Sequence, residues 1–290
     1  IHLNIIAKMH LKVYCKNEAE DKSHFIKNHI SNNIDKNVNY VYVKCMINDN
    51  DILTILTATN PWWRTNAVTE EYAKPVKRFA YYEGMKILTH PDIRRMVLLT
   101  GARLIGKTTI MYQMIDALMK KDITPERILY VSLDHPMLKL SNINEILKIY
   151  RENIYPFDDV YYFFDEIQYA DSWDSWLKIL YDTNKQCQAV ATGSASPVLV
   201  SKATESGVGR WNTLAIPTLS FYEYCGLLNL DVPELEPDLK PTNMRTMPEK
   251  EQRAVFQKLF PLLPHFNRYL LVGGFPELAL SKDEAYAQRT

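Results

Sequence analysis

The sequence has little cysteine, no net charge and no long apolar run. Only four cysteines occur in 290 residues, and no two of them form a C-x-x-C pair. A zinc ribbon and a disulfide framework are therefore not indicated, and a reduced, cytoplasmic chain is expected. Lysine plus arginine and aspartate plus glutamate both number 34, which excludes a strongly basic nucleic-acid coat, though not a local patch. No stretch approaches the roughly 18 apolar residues that a membrane-crossing helix needs, so no membrane role is expected. Segment 1–10 is partly apolar but is followed by no small-residue cleavage site, so no secretory signal is expected. Internal repeats and low-complexity tracts are absent too. What remains, at 47% hydrophobic and 23% charged residues, is average globular material with enough apolar mass for a sizeable core. Its length suits one or two domains.

Residues 1–45 form a poorly specified extension rich in Asn, Lys, Ile and His. Zinc binding through His24, His29, Cys15 and Cys45 is the sharper reading there. Their spacing matches no metal pattern, which favours a polar extension. A start at Met46 is a further reading, because Asn48-Asp49 can cap a short helix at 52–56. Residues 46–95 read as a helical lead-in containing Asn60-Pro61-Trp62-Trp63-Arg64.

Between 96 and 194 strand-like runs (96–100, 128–133, 160–164, 189–192) alternate with helical stretches (108–119, 143–151, 173–181). That alternation predicts an α/β fold, a mostly parallel sheet with helices on both faces. Trp173, Trp176, Leu177 and Leu180 recur at helical spacing and are assigned to the core. Residues 226–290 read as a linker and the beginning of a further domain. Six of the 15 prolines fall in 231–264, around one helix at 249–263, and a new apolar element opens at 269–280.

The chemistry is concentrated in Gly101-Ala102-Arg103-Leu104-Ile105-Gly106-Lys107-Thr108-Thr109, which contains G-x-x-x-x-G-K-Ser/Thr. The glycines let backbone N–H groups wrap around phosphates, and the following helix turns its positive end to the same place. Lys107 can reach the β- and γ-phosphates, and the Thr108 hydroxyl can ligate Mg²⁺. A strand before the motif and a helix after it are the context it requires. A second signal is the apolar strand that ends in Asp165-Glu166, placing one carboxylate for the metal and one for a water. A third is Ala191-Thr192-Gly193-Ser194, small hydroxyls at a strand's carboxyl end, where open α/β sheets bind ligands. Arg210, in Gly207-Val208-Gly209-Arg210-Trp211, is a candidate for stabilising charge on a transferring phosphoryl group, in cis or across a subunit interface. A surface arginine is the alternative reading.

These residues together resemble the prokaryotic AAA-type P-loop ATPases that carry a C-terminal domain of uncharacterised function. The resemblance runs over about 50–290 and rests on 60–64, 98–109, 128–134, 163–168, 191–196, 205–211, 217–224 (PTLSFYEY) and 273–277 (GGFPE). It implies a P-loop NTPase three-layer α/β/α sandwich followed by the start of a C-terminal helical domain. In that sheet the Thr192 strand separates the Asp165 strand from the loop strand. It implies ATP and Mg²⁺ as cofactors, Lys107 and Thr108 on them, Asp165 on the metal, Glu166 as catalytic carboxylate and Thr192 as sensor. Ala102 stands where the family usually has proline, and His135 where a second acidic residue is common. Hydrolysis of ATP is the expected activity; a nucleotide-gated switch or scaffold with negligible hydrolysis is the rival. A homo-oligomer, and a protein or DNA partner met through the C-terminal domain, are the expected associations.

Overall fold

The structure is a computed structural model that describes residues 48–194, 208–236, 239 and 241–281. The readings made for 1–45, the start at Met46 and the parts of the motifs within 195–207 lie outside the described residues.

Among the described residues, five parallel strands form one sheet: β1 (Met96–Gly101), β2 (Ile128–Ser132), β3 (Tyr161–Asp165), β4 (Gln188–Ser194) and β5 (Trp211–Ala215), in the order β2-β3-β4-β1-β5. The helices are α1 (Asp49–Thr59), α2 (Trp62–Thr65), α3 (Phe79–Leu88), α4 (Lys107–Met119), α5 (Ile143–Asn153), α6 (Trp173–Thr183), α7 (Phe221–Leu227), α8 (Glu249–Leu259), α9 (Leu263–Val272) and α10 (Pro276–Leu280), with a single turn at Pro241–Met244.

Alternate strand residues feed two cores. Leu98, Val131, Phe164 and Ala191 meet α1, α5 and α6 on one face. Leu99, Tyr130, Phe163 and Val190 meet α3 and α4 on the other. A sheet buried on both faces makes the predicted three-layer α/β/α sandwich, and it explains why these strands read as continuous apolar runs. The expected strand order also holds, with β4 between β3 and β1.

Trp173, Leu177 and Leu180 are buried as expected, and Trp176 packs against the same core. The cap at Asn48 is present as a reciprocal pair: Asn48 Oδ1 accepts from the Asp51 amide at 2.9 Å, and Asp51 Oδ2 from the Asn48 amide at 3.1 Å. The helix it starts runs on to Thr59, longer than the 52–56 expected.

Other expectations change. The helix expected at 249–263 ends at Leu259, and Phe260–Leu262 tightens into a 3₁₀ turn. Pro261 has no N–H to continue the α-helical ladder. The apolar element expected at 269–280 is two helices, divided at Gly273, whose φ of 74° ends α9. Gly274 follows because a Cβ there would stand 2.8 Å from the Leu219 carbonyl oxygen and the Thr218 Cβ. Thus 273–277 packs on 217–220, and Leu219, Tyr224, Leu262, Val272 and Ala279 form a third, small core.

Candidate functional site

The carboxyl ends of β1, β3 and β4 bring the candidate residues together. After Gly101 the chain turns through Leu104 at φ 61° and Gly106 at φ 94° into α4. Gly101 is required by contact: a Cβ there would meet the Ile216 carbonyl oxygen at 2.8 Å. Gly106 is required by conformation, since its φ strains any residue with a side chain. α4 has no side-chain cap, so its first amides are left for a ligand. Ala102, Arg103 and Leu104 are exposed, Ile105 and Lys107 are buried, and Gly106, Thr108 and Thr109 lie between.

Lys107 is folded into its own loop. Its Nζ donates to the Gly101 carbonyl at 3.1 Å and to the Ala102 carbonyl at 2.9 Å. Burial holds the ammonium below its ordinary pKa of 10.5, partly countered by the Glu166 and Asp165 carboxylates, and Arg103 lowers it further. A buried cation whose hydrogen bonds go to two neutral loop carbonyls is a ready partner for a polyanion.

Asp165 is the hub. Its Oδ2 accepts from Thr108 Oγ1 at 2.7 Å and from the Tyr130 hydroxyl at 2.9 Å, and its Oδ1 accepts from Thr192 Oγ1. Thr192 is wholly buried, and its Oγ1 also accepts from the Glu166 amide at 2.9 Å. Glu166 sits in the left-handed region at φ 52°, a strained conformation for glutamate, and its carboxylate accepts from the Gln168 side-chain amide. Gln168 Oε1 in turn accepts from the Ser194 amide at 3.4 Å, so β3 and β4 are cross-tied beside the loop.

The donor set fits Mg²⁺ carried on phosphates. Among the described residues no group of three or more His, Cys, Asp or Glu could hold a metal alone. One hydroxyl and one carboxylate oxygen in contact are hard ligands of the kind Mg²⁺ takes when phosphates and waters complete its shell.

Beside the loop lies a cavity of about 320 Å³. Its walls include Val76, Gly106, Thr109, Ile110, Leu227 and Leu280. Arg78 closes one side. Its Nε and NH2 donate to the Glu223 carboxylate at 3.1 and 3.0 Å, its NH1 to the Ile105 carbonyl at 2.9 Å, and its NH2 also to the Pro217 carbonyl at 2.9 Å. Glu223 also completes the capping box of α7 with Ser220.

Arg210 is not brought to this site. Its carbonyl accepts from the Met96 amide at the start of β1, and its guanidinium donates to Asp182 at 3.0 Å through both Nε and NH2. The loop is at the other end of β1, roughly 16 Å away at the usual rise per strand residue. The role in cis expected for Arg210 is thereby corrected. Sequence reasoning also missed Tyr130, Arg78 and Glu223. The last lay inside PTLSFYEY, where Ser-x-x-Glu was a visible capping signal.

Residues 93–225 match the family model described as an AAA domain. This segment is an AAA domain. An uncharacterized protein of Methanocaldococcus jannaschii is 31% identical over 235 residues, covering 76% of this chain and 47% of the relative. An uncharacterized protein of Haemophilus influenzae is 25% identical over 205 residues, covering 68% of this chain and 44% of the relative. The chain therefore spans less than half the length of these curated relatives. Among solved structures, the Aeropyrum pernix ORC1 protein in complex with DNA aligns with a TM-score of 0.40 at 12% identity, covering 76% of this chain and 66% of that one. A closed state of Hsp104 with ATPγS and FITC casein gives 0.46 at 14%, covering 79% and 40%. Among the described residues of this chain, no helix is long and apolar enough to cross a membrane.

Proposed function

We propose that the AAA domain binds ATP with Mg²⁺ and hydrolyses it. The observation that carries this reading is the meeting of Thr108 and Thr192 on the two oxygens of Asp165, beside Lys107 and Glu166. Thr108 and Asp165 would hold Mg²⁺, which when bound would supply positive charge to offset the negative charge that develops on the transferring phosphoryl group.

The residues divide the work. Lys107 exchanges its two loop carbonyls for phosphate oxygens, and the uncapped amides of α4 add their partial positive charge. Thr108 Oγ1 and the Asp165 carboxylate, in contact at 2.7 Å, would hold the metal. Glu166 accepts a hydrogen of the attacking water and aligns its oxygen with the γ-phosphorus. Thr192 holds both acidic residues in register through its single hydroxyl. Catalysis is then positioning plus electrostatics. The apolar cavity beside α4 receives the base and sugar, as concave apolar sites do.

A second reading, nucleotide-gated signalling with negligible hydrolysis, is favoured by one observation. Arg78 ties the Ile105 carbonyl of the loop to Glu223 of α7, so loop and C-terminal helices share a bond network. Single-turnover kinetics separate the two, because a switch retains ATP and an ATPase clears it. On either reading we place the chain in the cytoplasm, where its unpaired, buried Cys187 and Cys225 would stay reduced. We assign Arg210 to a neighbouring copy in a homo-oligomer, and a protein or DNA partner to the C-terminal region.

The test is the unfolding midpoint with and without Mg-ATP, run beside Lys107→Ala. At 100 times Kd the ligand stabilises by about 2.7 kcal/mol, roughly 5–10 °C for a domain of this size. No shift in the parent, or an equal shift in the variant, overturns the proposal.

A further inference from the structure

We infer that Tyr130 is a positioning residue for Asp165, held in register by Asn60, and that its hydroxyl sets how tightly this site takes Mg²⁺ with its nucleotide. The inference rests on the Mg-nucleotide reading of the same site.

Tyr130 lies on β2, an edge strand of the sheet, two strands from the phosphate loop strand's neighbour β4. Its hydroxyl nevertheless reaches Asp165 Oδ2, the oxygen that also meets Thr108. Three hydroxyls, from β2, α4 and β4, thus fix the carboxylate. Were Thr108 engaged by a metal instead, Tyr130 would be the hydroxyl left on Oδ2 among the described residues. Without it the carboxylate can rotate about its bond to Thr192. Burial foremost, and the neighbouring Asp165 charge, raise the phenol's pKa above its ordinary value.

The phenol is placed from outside the sheet. Asn60 Oδ1 accepts from the Tyr130 amide at 2.6 Å, and Asn60 Nδ2 donates to the Tyr130 carbonyl at 2.8 Å. Trp62 and Trp63 both donate through Nε1 to the Ile128 carbonyl, at 3.1 and 2.9 Å. Asn60-Pro61-Trp62-Trp63 thereby supplies the hydrogen bonds that a further strand would make along the open edge of β2. The ring is clamped by Tyr112, at 4.9 Å between centroids, and Tyr112 by Tyr72 at 4.9 Å. Groups that hold a metal-bound carboxylate commonly matter 10–100-fold for metal affinity.

Binding of a non-hydrolysable ATP analogue, measured calorimetrically in EDTA and across a Mg²⁺ titration, tests this. Tyr130→Phe keeps the ring and its packing. It should leave affinity in EDTA unchanged and raise the Mg²⁺ midpoint about 10-fold. Tyr162→Phe is the control. It removes a buried hydroxyl from the next strand, on the opposite face of the sheet from Tyr130, and should leave the midpoint unmoved. A midpoint in Tyr130→Phe within two-fold of the parent overturns the inference while the nucleotide reading stands. Loss of affinity in EDTA by the same factor overturns it too, because the effect would then be one of general packing. A parent that binds no nucleotide under either condition removes the underlying reading and the inference with it.

Discussion

Arg78→Ala should both loosen the fold and change its response to acid. Arg78 and Glu223 side chains are 10% and 8% exposed, so this is an interior pair. Breaking such a pair leaves a buried carboxylate and costs about 3–5 kcal/mol, whereas an exposed pair is worth about 0–1 kcal/mol. The variant also strips donors from the Ile105 and Pro217 carbonyls. The unfolding midpoint at pH 7 should fall by roughly 6–20 °C. Burial pushes the Glu223 carboxyl upward, but the Arg78 bond and charge and the amides of Ser220 and Phe79 outweigh it, so its pKa lies below the ordinary 4.5. The folded chain therefore takes this proton later than the unfolded chain. The resulting stability is present above about pH 4.5 and is lost as pH falls through the lower folded value. With Arg78 gone, burial loses its main opponent, and Glu223 protonates at higher pH. Urea unfolding from pH 3 to 7, in a double-mutant cycle with Glu223→Gln, reads both effects. A loss under about 1 kcal/mol with an unaltered pH profile would refute the reasoning.

Glu166→Gln should retain Mg-ATP binding and lose turnover by about 10²–10⁴-fold, read as phosphate release against analogue affinity. Unchanged turnover would remove Glu166 from the mechanism. Gly274→Ala should drive a Cβ into the backbone of Leu219 and destabilise the small C-terminal core by about 1–3 kcal/mol, visible as a lowered unfolding midpoint. Arg210→Ala should leave nucleotide affinity intact, since Arg210 stands at the far end of β1 from the loop. Turnover that falls only at concentrations where copies associate would assign Arg210 to the neighbouring subunit; turnover that stays level at all concentrations would leave it a structural partner of Asp182.

What the sequence by itself determined is whatever is contiguous along the chain. Gly101 to Thr109 carries its own spacing, and each apolar run ending in Asp165 or Thr192 announces a buried strand and the edge at which it stops. Those strands are apolar because both of their faces are covered, so pattern and fold agree. β5 escaped notice for the opposite reason: in WNTLA only Trp211 is buried, since it is an edge strand, half exposed and with no clear period. The tertiary structure alone decided what depends on distant partners. Arg78 and Glu223 stand 145 residues apart, and Asn60 and Tyr130 stand 70 apart. Neither residue of such a pair has a local pattern that names the other. Tyr130 read as one apolar residue among five, because only the packed sheet turns its hydroxyl onto Asp165. Beside its glycines Arg210 reads equally as a phosphoryl-stabilising or a surface arginine; its position just before β5 puts the length of a strand between it and the loop.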